Sequence, residues 1–479
     1  MVFSNAVFLF IFLPVVLVGY YLLRGKARNY WLLAVSLIFY GWNKPGFLWI
    51  LIASILLNYV SALLVERAEK RAVKLTVLWI GIAGNLLLLY YFKYFNFTIY
   101  IIERLTQRSL AFAEVILPIG ISFFTFQGLS YVVDVYRGDV TAQKNPFKLG
   151  MYISLFPQLV AGPIVRYKQI AEEIDDRTVT LSDFSDGSRR FIIGLFKKIV
   201  IADTLAVTVD AIVSASETAS NQPLNAWIGI IAYSLQLYFD FSGYSDMAIG
   251  LGRMFGFHFL ENFDYPYISK SITEFWRRWH ISLSSFFRDY VYIPLGGNRR
   301  RVYFNVAIVF LLTGIWHGAA TSFIFWGIWH GMFNLAERWI RQLNANKPKK
   351  TYTGVAKTLI AALQHMYTLL VVMIGWVFFR LPGMTRGMDY FLSLFGLNNN
   401  PGAYVVMPSY YLDRWTVCVL LLGILMATPL PKCMLEKAKS RMPETAAAII
   451  RDVSLLAVLA LCVLQVASNT YSAFIYFQF

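Results

Sequence analysis

Charge is scarce in this chain. Only 15% of its residues are Asp, Glu, Lys or Arg, against about 25% in ordinary soluble domains, while 58% are hydrophobic. That balance excludes a soluble globular class and predicts an all-α polytopic membrane protein. Cysteine is scarcer still. Cys418, Cys433 and Cys462 fall late in the chain with no C-x-x-C spacing, so they point to no disulfide framework, metal or redox pair. Long polar stretches are missing too: those around 169–189, 340–354 and 394–411 read as loops, and no repeat of fixed period is visible. Residues 1–479 therefore read as a single integral-membrane domain. Acidic residues are outnumbered 27 to 43, giving a formal net charge of +16. The Lys and Arg are spread over short loops between apolar runs, which indicates topology and attraction to anionic membrane lipid rather than nucleic-acid binding.

What is plentiful is apolar sequence. Runs such as 6–23, 47–65, 75–92, 190–215, 226–251, 355–379 and 447–467 approach or exceed the ~20 residues that cross a bilayer as helix. With the shorter runs included, about ten to twelve membrane helices are expected, some of them paired or re-entrant. The first run has no Lys or Arg in Met1–Asn5 and no small-x-small site after Tyr21, so it reads as a span and not a cleaved leader. Two basic clusters, Arg24, Lys26 and Arg28, then Arg67, Lys70, Arg71 and Lys74, predict cytoplasmic loops and an N-terminus outside. Two stretches are broken by proline and glycine: the one around Pro118–Gly138 and F-P-Q-L-V-A-G-P-I-V-R-Y at 156–167. Freed backbone groups are tolerated at membrane depth only against protein or a wet cavity, so both are candidate cavity walls or re-entrant segments.

Histidine is rare, and its placement is uneven. Of five in the chain, His280, His317 and His330 fall between Asp264 and Asn334, each directly after a tryptophan. A polar ring taken out of water must find hydrogen-bond partners or cost a few kcal/mol, so this concentration marks a site. Ser271 and Glu274 have capping-box spacing, and Phe275, Trp276, Trp279, Leu283 and Phe286 recur at three- and four-residue steps. They predict one interfacial helix with His280 on its apolar stripe and Arg277, Arg278 and Arg288 around its margins. Beyond Arg299, Arg300 and Arg301, sixteen residues of helix would carry His317, beside Trp316, about 24 Å into a hydrocarbon core of roughly 30 Å. Burial there disfavours a protonated ring, leaving a neutral imidazole able to accept a proton as a general base must. His330, thirteen residues on, reads as support or channel lining, His258 as a boundary or core residue, and His365 as structural. Asp240 and Asp246 lie in a span of aromatic and small residues. An intramembrane carboxylate costs at least ~2.5 kcal/mol on insertion scales, so each expects an interior partner, with Arg253, Arg277 and Arg278 as candidates.

At these residues the chain resembles the membrane-bound O-acyltransferase (MBOAT) superfamily, and specifically its bacterial alginate O-acetyltransferase, AlgI-like branch. The matching segments are M-V-F-S-N-A-V-F-L-F-I-F-L-P-V-V, F-P-Q-L-V-A-G-P-I-V-R-Y, Q-L-Y-F-D-F-S-G-Y-S-D-M-A-I-G-L, F-W-R-R-W-H-I-S-L-S-S-F-F-R-D-Y-V-Y-I-P-L-G-G-N-R, G-I-W-H-G-A and G-W-V-F-F-R. Most of them lie in a motif-bearing core at about 115–340. The resemblance implies helices around a central tunnel, no bound cofactor or metal, and a cytoplasmic thioester such as acetyl-coenzyme A as donor. It implies that His317 is essential, and that His280 stands where other branches carry Asn or Asp. The implied function is transfer of an acetyl group across a bacterial cell membrane for O-acetylation of an extracellular polysaccharide such as alginate. A separate extracytoplasmic SGNH acetyltransferase of the AlgJ or AlgX kind would complete the transfer. In that scheme His317 takes the proton of the attacking hydroxyl, or assists acyl handover, and His280 helps hold or polarise the thioester carbonyl. Arg277, Arg278 and Arg288 meet donor phosphates, and Trp279, Trp316, Asp240 and Asp246 belong to the tunnel. Two other readings stand beside it. One is D-alanyl transfer from a carrier-protein thioester to a cell-wall polymer; the other is a transporter with Asp240, Asp246 and His317 as proton relay.

Overall fold

The computed structural model describes residues 1–218, 222–347, 353–398 and 406–468, and among these every regular element is helical. Among the described residues, four helices are long and apolar enough to cross a bilayer: Phe47–Arg67, Arg71–Thr106, Gly354–Arg380 and Glu444–Ser468. Arg414–Met426 and Leu430–Lys439, bent by 75°, make a fifth when counted as one broken span. Phe8–Leu22 and Val302–His317 are shorter apolar helices.

The basic loops gather at one end. Asn29 donates to the Ile174 carbonyl at 2.7 Å, Glu66 accepts the Ala142 N–H at 2.8 Å, and Arg137 reaches the Asp289 carbonyl at 3.0 Å. The segments that follow Arg24, flank Arg67 and carry Arg137 are thereby each tied to another loop, at Ile174, Ala142 and Asp289.

At the centre, the helix Pro223–Met254 packs on Leu181–Phe196. Their contact is made by glycine: a Cβ on Gly194 would stand 2.6 Å from the Gly243 carbonyl oxygen, and one on Gly250 would stand 2.6 Å from that of Gly187. Small residues that let backbones touch are a principal route to helix association in lipid. This contact decides the partners of the two intramembrane carboxylates. Asp246 accepts from Arg190 and Lys197, at 2.7 and 2.6 Å, and Asp240 pairs with Lys198 at 2.7 Å. Arg253, Arg277 and Arg278, the partners expected from the sequence, are elsewhere. Arg253 pairs with Asp183 and Asp186, and Arg278 with Asp264 and Glu274.

A second close pair forms the hairpin of Val302–His317 and Thr321–Leu343. A Cβ on Gly314 would meet the Phe323 carbonyl oxygen at 2.5 Å, and one on Gly327 the Phe310 carbonyl oxygen at 2.5 Å. Gly327→Val should therefore overpack the hairpin and destabilise it by about 1–3 kcal/mol. Thermal unfolding in detergent reads this, and an unchanged melting temperature would refute it.

Candidate active site

The site begins with a helix that stops early. The Ser271 hydroxyl accepts the Glu274 N–H at 3.0 Å, and Glu337 accepts those of Ile272 and Thr273 at 2.6 and 3.0 Å, so the predicted N-terminus is there. The helix nevertheless ends at Arg278. His280 takes the left-handed conformation, φ 45° and ψ 57°, and a second helix runs Ile281–Phe287. The expected single interfacial helix is thus two short ones broken at the histidine. For a residue with a Cβ that conformation costs roughly 1–2 kcal/mol and persists only when its surroundings hold it.

Asn262 does the holding. Its main-chain oxygen accepts the Ile281 N–H at 2.9 Å, and its Oδ1 accepts the Ser282 N–H at 3.1 Å and the Ser282 hydroxyl at 2.9 Å. The same Oδ1 lies 3.2 Å from His280 Nδ1. A backbone N–H can only donate, so the atom it meets is the amide oxygen, and Nδ1 must carry the proton of a neutral ring. The Nε2 of His280 is then an acceptor. It is buried and has no hydrogen-bond partner among the described residues. In that tautomer the free nitrogen of His280 faces the site as an acceptor.

The three histidines meet in one run of aromatic rings. His280 and Trp316 are 6.1 Å apart between centroids, Trp316 and His317 4.8 Å, His317 and Trp326 4.9 Å, Trp326 and His330 5.2 Å, and His330 and Trp276 5.2 Å. His330 returns to this cluster because the turn at 318–320 folds the chain back on itself. It supports the rings and lines neither of the cavities described next.

Two cavities meet the cluster. One, of about 560 Å³, is lined from Asn298, Arg338, Arg341 and Ala345 at the basic end to Trp276 and Thr313, one turn before His317. The other, of about 90 Å³, is lined by Trp316, His317, Lys93, Ser122 and the broken stretch Leu117–Phe123, which is thereby a cavity wall as expected. The stretch at 156–167 is instead buried in protein throughout. Arg277 and Arg288 line the larger cavity, whereas Arg278 does not. Trp279 packs against Phe275 and Trp376. Asp240 is buried with Lys198, and Asp246 lines a separate groove of about 940 Å³ with Arg190, Lys197 and Glu261. His258 sits exposed beside Glu173, and His365 Nδ1 lies 3.2 Å from the Ser269 carbonyl.

Sequence reasoning missed three basic residues. Arg338 and Arg341 lie three residues apart on one helix face, Arg341 in a stretch that reads from sequence as a loop. Lys93 is the only charged residue between Lys74 and Glu103. That isolation was the available signal. At the basic end, burial works to raise Asp289, but its bonds to Arg288 and Arg166 more than offset it and hold the carboxyl below the usual range. No group of three or more His, Cys, Asp or Glu among the described residues could hold a metal ion.

The family model for the membrane-bound O-acyltransferases matches residues 145–381. The "Probable alginate O-acetylase AlgI" of Azotobacter vinelandii is 38% identical along the whole of both chains. The chain belongs to the membrane-bound O-acyltransferase family. As such it is a membrane acyltransferase, and the matched segment holds all three clustered histidines and the four arginines of the larger cavity. The peptidoglycan O-acetyltransferase of Helicobacter pylori is 33% identical over all of this chain and 98% of its own. The teichoic acid D-alanyltransferase of Bacillus subtilis is also 33% identical, but over 42% of this O-acyltransferase and 54% of its own length.

Proposed function

We propose that this enzyme takes an acetyl group from cytoplasmic acetyl-coenzyme A and passes it through the bilayer of a bacterial cell for O-acetylation of an extracellular polysaccharide such as alginate. One observation carries the reading: Trp316 and His317 line the smaller cavity in contact with the rings of His280 and Trp326, and the same helix lines the larger cavity one turn earlier, at Thr313. A donor entering the larger cavity brings its phosphates to Arg277, Arg288, Arg338 and Arg341, whose guanidinium forks suit phosphate oxygens. The arm that carries the thioester then extends toward Thr313 and His317. The basic end faces the cytoplasm, the N-terminus lies outside, and about ten to twelve segments cross the membrane once the short helices are paired. A separate extracytoplasmic SGNH acetyltransferase takes the acetyl group onward. Relatives named for O-acetylation match the full length, whereas the D-alanyltransferase matches under half, which ranks acetyl transfer first.

The test is purified protein in vesicles with acetyl-labelled coenzyme A, following thioester loss and label transfer. Consumption of the thioester supports the reading. Turnover of a D-alanyl carrier thioester alone would replace acetyl by D-alanyl. For the donor site, Arg338→Gln combined with Arg341→Gln should raise KM for acetyl-coenzyme A about tenfold, the loss of one or two charged hydrogen bonds, with kcat within twofold. An unchanged KM would place the phosphates elsewhere.

A further inference from the structure

Acyl transfer to a hydroxyl builds negative charge on the carbonyl oxygen, and a site for it needs a hydrogen-bond donor aimed there. His280 is excluded, because its buried Nε2 is an acceptor. We propose that Lys93 supplies this donor and is a further catalytic residue. The proposal rests on the reading of His317 as the place of transfer.

Three independent features of the fold place it there. Lys93 lies in a π-helical turn, Tyr90–Tyr94, inserted in the span Arg71–Thr106, and such bulges recur at functional sites because they re-aim side chains. The turn points two consecutive residues at the end of the helix carrying His317: Tyr94 donates to the Ile315 carbonyl at 2.9 Å and Lys93 to the Trp316 carbonyl at 2.6 Å. These are orphan carbonyls of a helix C-terminus, where a cation is favoured. The ammonium also reaches the Ser122 hydroxyl at 3.4 Å and lies 5.6 Å from the centre of the Trp316 ring. An ammonium has three N–H donors, and two of these have acceptors among the described residues, leaving one for a ligand. Lys93 and His317 line the same 90 Å³ pocket. That space suits a two-carbon acyl group.

The step balances without a further reactant. A hydroxyl oxygen attacks the thioester carbon, the C–O bond forms, and the carbonyl electron pair moves onto oxygen, which accepts a hydrogen bond from Lys93. Collapse breaks the C–S bond. The proton His317 takes from the hydroxyl goes to the departing thiolate, and Lys93 keeps its own protons throughout.

The test uses the full chain in vesicles with acetyl-labelled coenzyme A, reading thioester loss with an alginate oligosaccharide and an extracytoplasmic SGNH acetyltransferase both supplied. Lys93→Met, which keeps the length and loses the donor, should lower kcat roughly 100-fold with KM for the thioester within twofold. Lys93→Cys in a background with Cys418, Cys433 and Cys462 changed to Ser should be equally slow, and alkylation with bromoethylamine, which rebuilds an ammonium at nearly the same length, should restore at least a tenth of the rate. If Lys93→Met keeps kcat within threefold, Lys93 is not catalytic. If the loss follows melting temperature and aminoethylation restores nothing, Lys93 only caps the helix and the proposal fails. His317→Phe, assayed in parallel, separates the two claims: if it also turns over, the reading of the site falls and Lys93 with it.

Discussion

His317→Ala should lower thioester turnover about 10⁴-fold, the upper range for removal of a positioned general base. The argument is positional. His317 closes the helix that starts at the basic end, and its ring is packed 4.8 Å from Trp316, 4.9 Å from Trp326 and 5.0 Å from Phe379. On the proposed reading, a thioester entering by the larger cavity brings its acyl group to this side chain. Truncating a ring packed on three sides also leaves a cavity, which costs a few kcal/mol by itself. His317→Phe removes that ambiguity, since it refills the space against Trp326 and Phe379 but has no nitrogen. Both variants should be inactive in single-turnover assays, and the Phe variant should melt close to the wild type. Activity of His317→Phe above a tenth of wild type would show that His317 is packing and the base lies elsewhere.

The sequence announced the membrane character through its lack of charge, and the site through histidines that follow tryptophans, because both are local signals. Ser271 capped its helix as read for the same reason. The break at His280 was hidden. Trp279 and Leu283 keep four-residue spacing across it, so periodicity ran straight through a residue that Asn262, eighteen positions earlier, holds in the left-handed region. The partners of Asp240 and Asp246 were illegible for a similar cause: glycine contacts between two helices decide which face meets which, and spacing along one helix says nothing of that. Arg338 and Arg341 follow an apolar run and belong to no motif, so nothing local marks them. Lys93 gave a signal in its isolation within an apolar run, but its meaning depends on a π turn and on the end of a helix more than two hundred residues away.

The break at His280 makes a second large effect predictable. His280→Ala should cost about 10³-fold in kcat, about 4 kcal/mol of transition-state stabilisation. The lost feature is the buried acceptor Nε2, held by the bond of Nδ1–H to Asn262 Oδ1. If the site needs an acceptor there, then Asn, whose side-chain oxygen also accepts and whose backbone tolerates the left-handed region, is the substitution to compare. His280→Asn should keep activity within about tenfold of wild type, in keeping with the Asn or Asp that other branches of the superfamily carry at this place. Should the site instead require a protonatable ring, His280→Asn would be as slow as His280→Ala. Asn262→Ala supplies the third arm: it frees the tautomer and removes the acceptor of the Ser282 N–H and hydroxyl, while the main-chain oxygen that accepts from Ile281 remains. Its kcat should fall between those of the two His280 variants, and a rate equal to the wild type would mean that the tautomer is not what Asn262 controls.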